Sequence, residues 1–243
     1  MVFSTWMDHL PFAYDLVAAL RPQLVVELGV YNGLSFFAFC QAMVENDIDG
    51  VAYAIDCWEG DEHTDSYDDS IYNDVRDYAR DNYRGITYLL RMFFNEALQH
   101  FEDNTVDLLH IDGLHTYEAV KEDFTNWYPK VKPGGIILFH DVMARIKDFG
   151  VWKFFDEIEN EYDDIFKFNH GFGLGVLRKP GGEPRDDQIF DLLFSRDEEV
   201  EKRLRQFYVH AGHFLEARRQ AKRFGKPGKG KGGQGKQNPA ADS

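Results

Sequence analysis

Two apolar runs, Asp107-Leu108-Leu109-His110-Ile111-Asp112-Gly113-Leu114-His115 and Gly134-Gly135-Ile136-Ile137-Leu138-Phe139-His140-Asp141, decide the fold. Each is short, apolar and bounded by Gly or Pro, the pattern of a strand buried on both faces of a parallel sheet. Between them, Tyr117 to Trp127 repeats its apolar positions at helical spacing. Strand, helix and strand make a βαβ unit. If the strands are neighbours, their carboxyl ends lie roughly 5 Å apart. Asp112, His115, His140 and Asp141 then meet at the crevice where open α/β sheets bind ligands.

Working outward toward the N-terminus, Pro11 to Leu20 reads as an amphipathic helix with proline in its first turn, and Leu24 to Leu28 as a short strand. Glu27-Leu28-Gly29-Val30-Tyr31-Asn32-Gly33-Leu34-Ser35 follows and leads into an apolar helix from about Ser35 to Asn46. Gly29 and Gly33 allow a tight turn and close approach of a ligand, and the helix start offers unpaired N–H groups. Tyr31 stands where a dinucleotide fingerprint needs glycine, so a pyrophosphate is disfavoured. The next strand, Val51 to Ile55, ends in Asp56, 23 positions beyond Gly33. A carboxylate there suits the two hydroxyls of a ribose; alone, it reads equally well as a solvated turn.

The chain has 243 residues, 44% of them hydrophobic, enough to bury the core of one α/β domain with an appendage. No run of eighteen apolar residues occurs, so stable membrane insertion is not expected, and Met1 to Asp8 has neither the basic start nor the apolar core of an export signal. The expected location is the cytoplasm. Cys40 falls in a helix and Cys57 just after a strand, which suits reduced thiols, with Cys40 a buried packing residue. Charge is segregated: eight of the 27 Lys and Arg but one of the 42 acids follow Glu216, leaving 19 basic against 41 acidic residues up to and including it. Such a body repels nucleic acid. The expected organisation is a domain over 1–180, helices over 186–222 and a basic, apolar-poor tail over 223–243. In the helices, Val200, Leu204, Phe207, Phe214 and Leu215 suit packing on the domain or pairing with a second copy as a homo-oligomer.

Several motifs together carry a resemblance: Glu27-Leu28-Gly29, Trp58-Glu59-Gly60-Asp61-Glu62-His63, His110 to Tyr117, Phe139-His140-Asp141 and Gly173-Leu174-Gly175-Val176. From about Trp6 to Leu177 the chain resembles class I S-adenosylmethionine-dependent methyltransferases, and within them a bacterial subgroup of small-molecule and sugar O-methyltransferases. That resemblance implies a Rossmann-like, doubly wound α/β fold whose seven-stranded sheet is mostly parallel with an antiparallel last strand, followed by a C-terminal helical appendage. Ile165 to Phe168 and Leu174 to Arg178 would form its terminal hairpin. It implies S-adenosylmethionine as cofactor, contacted by Glu27, Gly29, Gly33, Ser35, Asp56 and Asp112, and methyl transfer to a hydroxyl of a sugar, glycan precursor or glycosylated small molecule.

In the metal-dependent branches that the chain resembles, acids after the fourth and fifth strands hold a divalent cation such as Mg2+ or Mn2+. Asp112 and Asp141 match, with His140 as the third ligand and a departure from the usual acid; its nitrogen suits Mn2+ better than Mg2+. The resemblance also places a base at His115, with Asp112 sharing the catalytic role. A neutral imidazole there has a suitable pKa; structurally, the same residue would cap a helix or bond Asp112. His110, inside a strand, reads as core. In the loop after Asp56, Trp58 and Asp61 suit a polyol, with His63, and His170 elsewhere in the chain, as secondary candidates, while Glu62-His63 lacks the spacing of a metal pair. Two other classes fit the same residues. A histidine with two carboxylates also binds Fe(II), the basis of an oxygenase-type enzyme, and a domain without turnover would act as a scaffold through its C-terminal helices.

Overall fold

The computed structural model describes residues 5–60, 68–146, 148–183 and 187–224. A short 3-10 helix (Thr5–His9) leads into α1 (Leu10–Leu20), β1 (Leu24–Leu28), α2 (Leu34–Glu45) and β2 (Val51–Asp56). Then come α3 (Asp69–Asn82), β3 (Thr87–Arg91), the single turn α4 (Phe94–Ala97), β4 (Val106–Ile111), α5 (Tyr117–Trp127) and β5 (Val131–His140). The chain continues through α6 (Val151–Glu161), β6 (Ile165–Phe168), β7 (Leu174–Arg178), α7 (Gln188–Leu193) and α8 (Glu198–Phe224).

Seven strands form one sheet in the order β3-β2-β1-β4-β5-β7-β6. The pairs β1·β2, β1·β4, β2·β3 and β4·β5 are parallel, whereas β7 runs antiparallel to both β5 and β6. The sequence-based βαβ unit is thus present, with β4 and β5 adjacent and His110 opposite Leu138. Successive side chains of each strand feed opposite faces. Val25, Leu108, Ile136 and Val176 join the core under α1 and α2, while Val26, Leu109, Ile137 and Leu177 join the core under α5 and α6. Strand β5 begins at Val131, ahead of Pro133 and the Gly pair, and a register shift opposite Val106–Leu108 absorbs that irregular start.

The C-terminal helices fold back onto the sheet domain. Phe190, Leu193, Leu204 and Tyr208 share a core with Phe12 and Phe168, and the Tyr208 hydroxyl bonds Asp15 Oδ2 over 3.0 Å. Helix α8 also crosses the Thr5–His9 turn at Gly212, where a Cβ would stand 2.5 Å from the Asp8 carbonyl oxygen. Phe207 and Phe214 stay exposed on its outer side. Among the described residues no helix is long and apolar enough to cross a membrane. The basic tail beyond Phe224 lies outside the described residues.

Candidate active site

The chain runs outward from β1 to β3, then returns to place β4 on the other side of β1. The connections leaving β1 and β4 therefore lead to helices on opposite faces of the sheet, and the loops from both frame a cleft. Asp112 N donates to Leu28 O over 2.8 Å and Gly29 N to Ile55 O over 3.0 Å, so the loops start from fixed points. Gly29 has φ +84°, and a Cβ on it would lie 2.0 Å from the Asp112 carbonyl oxygen. Only glycine allows the β1 and β4 loops to pass this closely. The resulting cavity, about 440 Å³, is bounded by Gly29 to Asn32, Leu34 and Ser35, Asp56 and Cys57, Phe93 and Phe94, Asp112 to His115, His140 and Asp141, with Thr5 and Trp6 closing one wall. That volume lies within the range of small-molecule sites.

Asp56 organises the outer part of the cleft. Its Oδ2 accepts from Val30 N (2.8 Å) and Tyr31 N (3.0 Å), and its Oδ1 from Trp58 N (2.7 Å). Trp58 Nε1 closes the loop by donating to Tyr31 O over 2.9 Å. Tyr31 and Trp58 have φ of 48° and 51°, a left-handed conformation that costs energy in non-glycine residues and that these bonds offset. Three of the roughly four acceptor sites of the carboxylate are thereby taken by backbone, leaving room for about one ligand hydroxyl. Trp58, expected to meet a substrate, is instead fully buried and packs on Tyr72 at 5.1 Å. Asp61 and His63 lie outside the described residues.

Glu27 is fully buried and is not among the residues lining the cavity. Its Oε1 accepts from Ser35 Oγ over 2.6 Å, and its Oε2 faces His110 Nδ1 at 3.4 Å. Burial raises its pKa against the pull of His110 and Ser35. Trp6 Nε1 donates to His110 Nε2 over 3.2 Å. Since indole N–H only donates, Nε2 must carry the lone pair and a neutral His110 holds its proton on Nδ1, toward Glu27. His110 is therefore a buried, partnered core residue, as its place inside a strand implies. Ser35, in contrast, reaches both Glu27 and the cavity.

At the inner end, two carboxylates and two imidazoles meet. His115 Nε2 lies 2.9 Å from Asp141 Oδ2 and 3.6 Å from Asp112 Oδ1, while His140 Nδ1 lies 3.3 Å from Asp112 Oδ1 and 3.4 Å from Asp141 Oδ2. Burial alone would lower both histidine pKa values, but Asp112 and Asp141 outweigh it, raising His115 to about 9 and His140 to about 10. In return the imidazoles hold Asp112 and Asp141 below the usual carboxylate range despite burial. The four groups thus balance as two cations and two anions. His140 Nε2 also faces Gly171 O at 3.2 Å. His170 lies beside His9, ring centroids 4.6 Å apart, and does not line the cavity.

Asp112 and Asp141 suit a cation, and His115 completes the donor group only when it is not serving as base. Asp112, His115 and Asp141 each present a ligand atom within 4.8 Å of the others. His140 is not in this group: its ring is nearly buried and spans Asp112 and the Gly171 carbonyl, so it buttresses the carboxylates. Asp141 Oδ1 is buried with no hydrogen-bond partner among the described residues, an acceptor that an ion would satisfy, and Asp141 adopts φ 62°. Sequence reasoning did not find Thr5, Trp6, Phe93 or Phe94. Trp6 carried no motif, and the phenylalanines follow a strand whose pattern is only half apolar.

Residues 26–142, from β1 through β5, match the model of a family described as a methyltransferase domain. An uncharacterized protein, y4gI, of Sinorhizobium fredii (strain NBRC 101917 / NGR234) is 44% identical over 172 residues, which cover 70% of this chain and 19% of that protein. The chain thus spans about a fifth of that relative's length. Among solved structures, a methyltransferase from Geobacter sulfurreducens superposes with a TM-score of 0.55 at 17% identity, covering 72% of this chain and 80% of that one. The O-methyltransferase TomG of Streptomyces achromogenes, solved with SAM, gives 0.54 at 14%, covering 74% and 82%. The O-methyltransferase NovP gives 0.57 at 18%, covering 72% and 80%. At these identities the structures show a shared fold. Together with the family match over residues 26–142, they show that the chain is similar to methyltransferase domains in fold and in that stretch of sequence.

Proposed function

We propose that this chain transfers a methyl group from S-adenosylmethionine to a hydroxyl of a sugar, glycan precursor or glycosylated small molecule. The observation that carries the reading is the charge of the cleft. Its described lining contains Asp56, Asp112 and Asp141 but no lysine or arginine. With His115 and His140 balancing Asp112 and Asp141, Asp56 leaves the wall net negative, which disfavours a pyrophosphate and suits a sulfonium cation and a neutral polyol. The first turn of α2, at Leu34 and Ser35, borders the same cavity and favours a carboxylate. Gly29 and Gly33 shape the turn, and Asp56 stands where a ribose would lie.

S-adenosylmethionine supplies the electrophilic methyl group, and a divalent cation at Asp112 and Asp141 would lower the pKa of an acceptor hydroxyl. The chain's own residues do the rest. His115 is the base in this reading, and Asp112 and Asp141, which accept from its Nε2–H, fix the direction of its ring. Trp6 and the Phe93–Phe94 pair offer aromatic surface for the C–H faces of a sugar. The iron-oxygenase alternative draws on the same group of one histidine and two carboxylates, and oxygen consumption separates it from methyl transfer. The scaffold alternative relies on C-terminal helices that, in this fold, pack against the domain's own core.

The test is a methyl-transfer screen of neutral monosaccharides, nucleotide sugars and glycosylated metabolites with radiolabelled S-adenosylmethionine, with Mg2+, with Mn2+ and with chelator. Label in a hydroxylated acceptor, lost in His115→Ala, supports the reading; oxygen consumption with no transfer contradicts it.

A further inference from the structure

A histidine that serves as base must keep its ring from turning, because rotation about the bond to its ring would carry Nε2 out from between Asp112 and Asp141. The restraint comes from the loop that joins β5 to α6. Phe149 lies flat against His115, with ring centroids 4.5 Å apart and planes inclined by 1°. The loop is held on several sides. Gly150 N donates to His115 O over 2.8 Å, and Phe149 N to Ile146 O over 3.1 Å. Gly150 sits so close to the start of α5 that a Cβ would stand 2.4 Å from Tyr117 N. Trp152 Nε1 donates to Phe149 O over 2.9 Å, and the Arg145 guanidinium covers the Trp152 ring at 4.0 Å. Phe149 itself does not line the cavity.

We propose that Phe149 is a positioning residue for His115: its ring, anchored through Gly150 and Trp152, fixes the imidazole plane so that Nε2 stays aimed at Asp112 and Asp141. The proposal rests on His115 as the base and names what orients it. A side chain of similar bulk without a flat π face would fill the space yet leave the imidazole free to rotate.

The experiment is NMR on the full chain with isotope-labelled histidine, the His115 ring signal being assigned by its loss in His115→Ala. In wild type and in Phe149→Tyr, the signal should be sharp and displaced upfield by the ring current of residue 149. In Phe149→Leu it should lose that displacement and broaden through microsecond-to-millisecond exchange. S-adenosylhomocysteine affinity, measured by calorimetry, should stay at the wild-type value in both variants. An undisplaced signal in wild type, or an equally sharp signal at the same position in Phe149→Leu, overturns the proposal. So does equal loss of S-adenosylhomocysteine binding in both variants, the mark of a merely structural role. Undiminished methyl transfer by His115→Ala would overturn the base assignment while leaving the orientation result standing, so the two failures are separable.

Discussion

At the scale of single residues, the account turns on His115. With its pKa raised to about 9, its neutral, proton-accepting form is a minor species at pH 7, so kcat should climb with pH and level off near 9. A rate that is flat between pH 6.5 and 9 in cation-free buffer would contradict this. His115→Ala should lose on the order of 10²-fold or more in turnover with S-adenosylhomocysteine affinity retained. The same shifts bear on stability. His115 and His140 titrate higher when folded than when unfolded, so their contribution is complete below about pH 6.5 and is lost as pH rises through 9 to 10. Asp123 works in the opposite sense. Burial, then Glu122, raise its carboxyl to about 7, so the unfolded chain ionises first and stability falls as pH rises from 4 to 7. Asp123→Asn should therefore raise the urea midpoint at pH 8, by on the order of 2 kcal/mol in stability, and leave it unchanged at pH 4. Equal midpoints at pH 8 would show that burial does not raise the Asp123 carboxyl on folding.

At the scale of elements, the β1 and β4 loops are locked together by Gly29. Gly29→Ala combines a left-handed φ with backbone overlap against Asp112 and should abolish S-adenosylhomocysteine binding. Gly85→Ala makes a control: φ is +96° but nothing lies within 4 Å of its Cβ, so it should cost only about 1 kcal/mol and leave binding intact. Similar losses in both would mean that conformational strain alone, not the crossing, is at work. The elements around this crossing were readable because their signals are local. Continuous apolar runs marked β1, β4 and β5, glycines marked the turns, and α5 spans Tyr117–Trp127 as its periodicity predicts. Elements away from it were harder to read. Helix α3 buries only Val75 and Ala79 among acids and arginines, and β3, at the sheet edge, mixes half-buried with exposed positions and buries none fully. Trp58 was misplaced because its burial depends on Tyr31, 27 positions earlier, a contact that only the fold creates.

At the scale of the whole molecule, α8 braces the wall of the cleft. It meets the Thr5–His9 turn at Gly212, and that turn carries Trp6 to the cavity and to His110. Gly212→Val should push the Asp8 backbone outward, weaken ligand binding about tenfold and free Trp6 fluorescence to respond to quencher. Unchanged binding and quenching would show that the wall stands without the helix. None of this was legible in a polar helix pattern whose apolar positions suited the domain and a second copy equally, because the choice depends on a helix crossing more than two hundred residues from the N-terminus. The central claim is that a cleft whose described lining has no lysine or arginine, set between β1 and β4, binds S-adenosylmethionine. Calorimetric titration of the full chain with S-adenosylhomocysteine tests it most directly. The account predicts one site of micromolar affinity, weakened strongly in Asp56→Ala and abolished in Gly29→Ala. Absence of binding in the folded wild-type protein, with and without Mn2+, would contradict it.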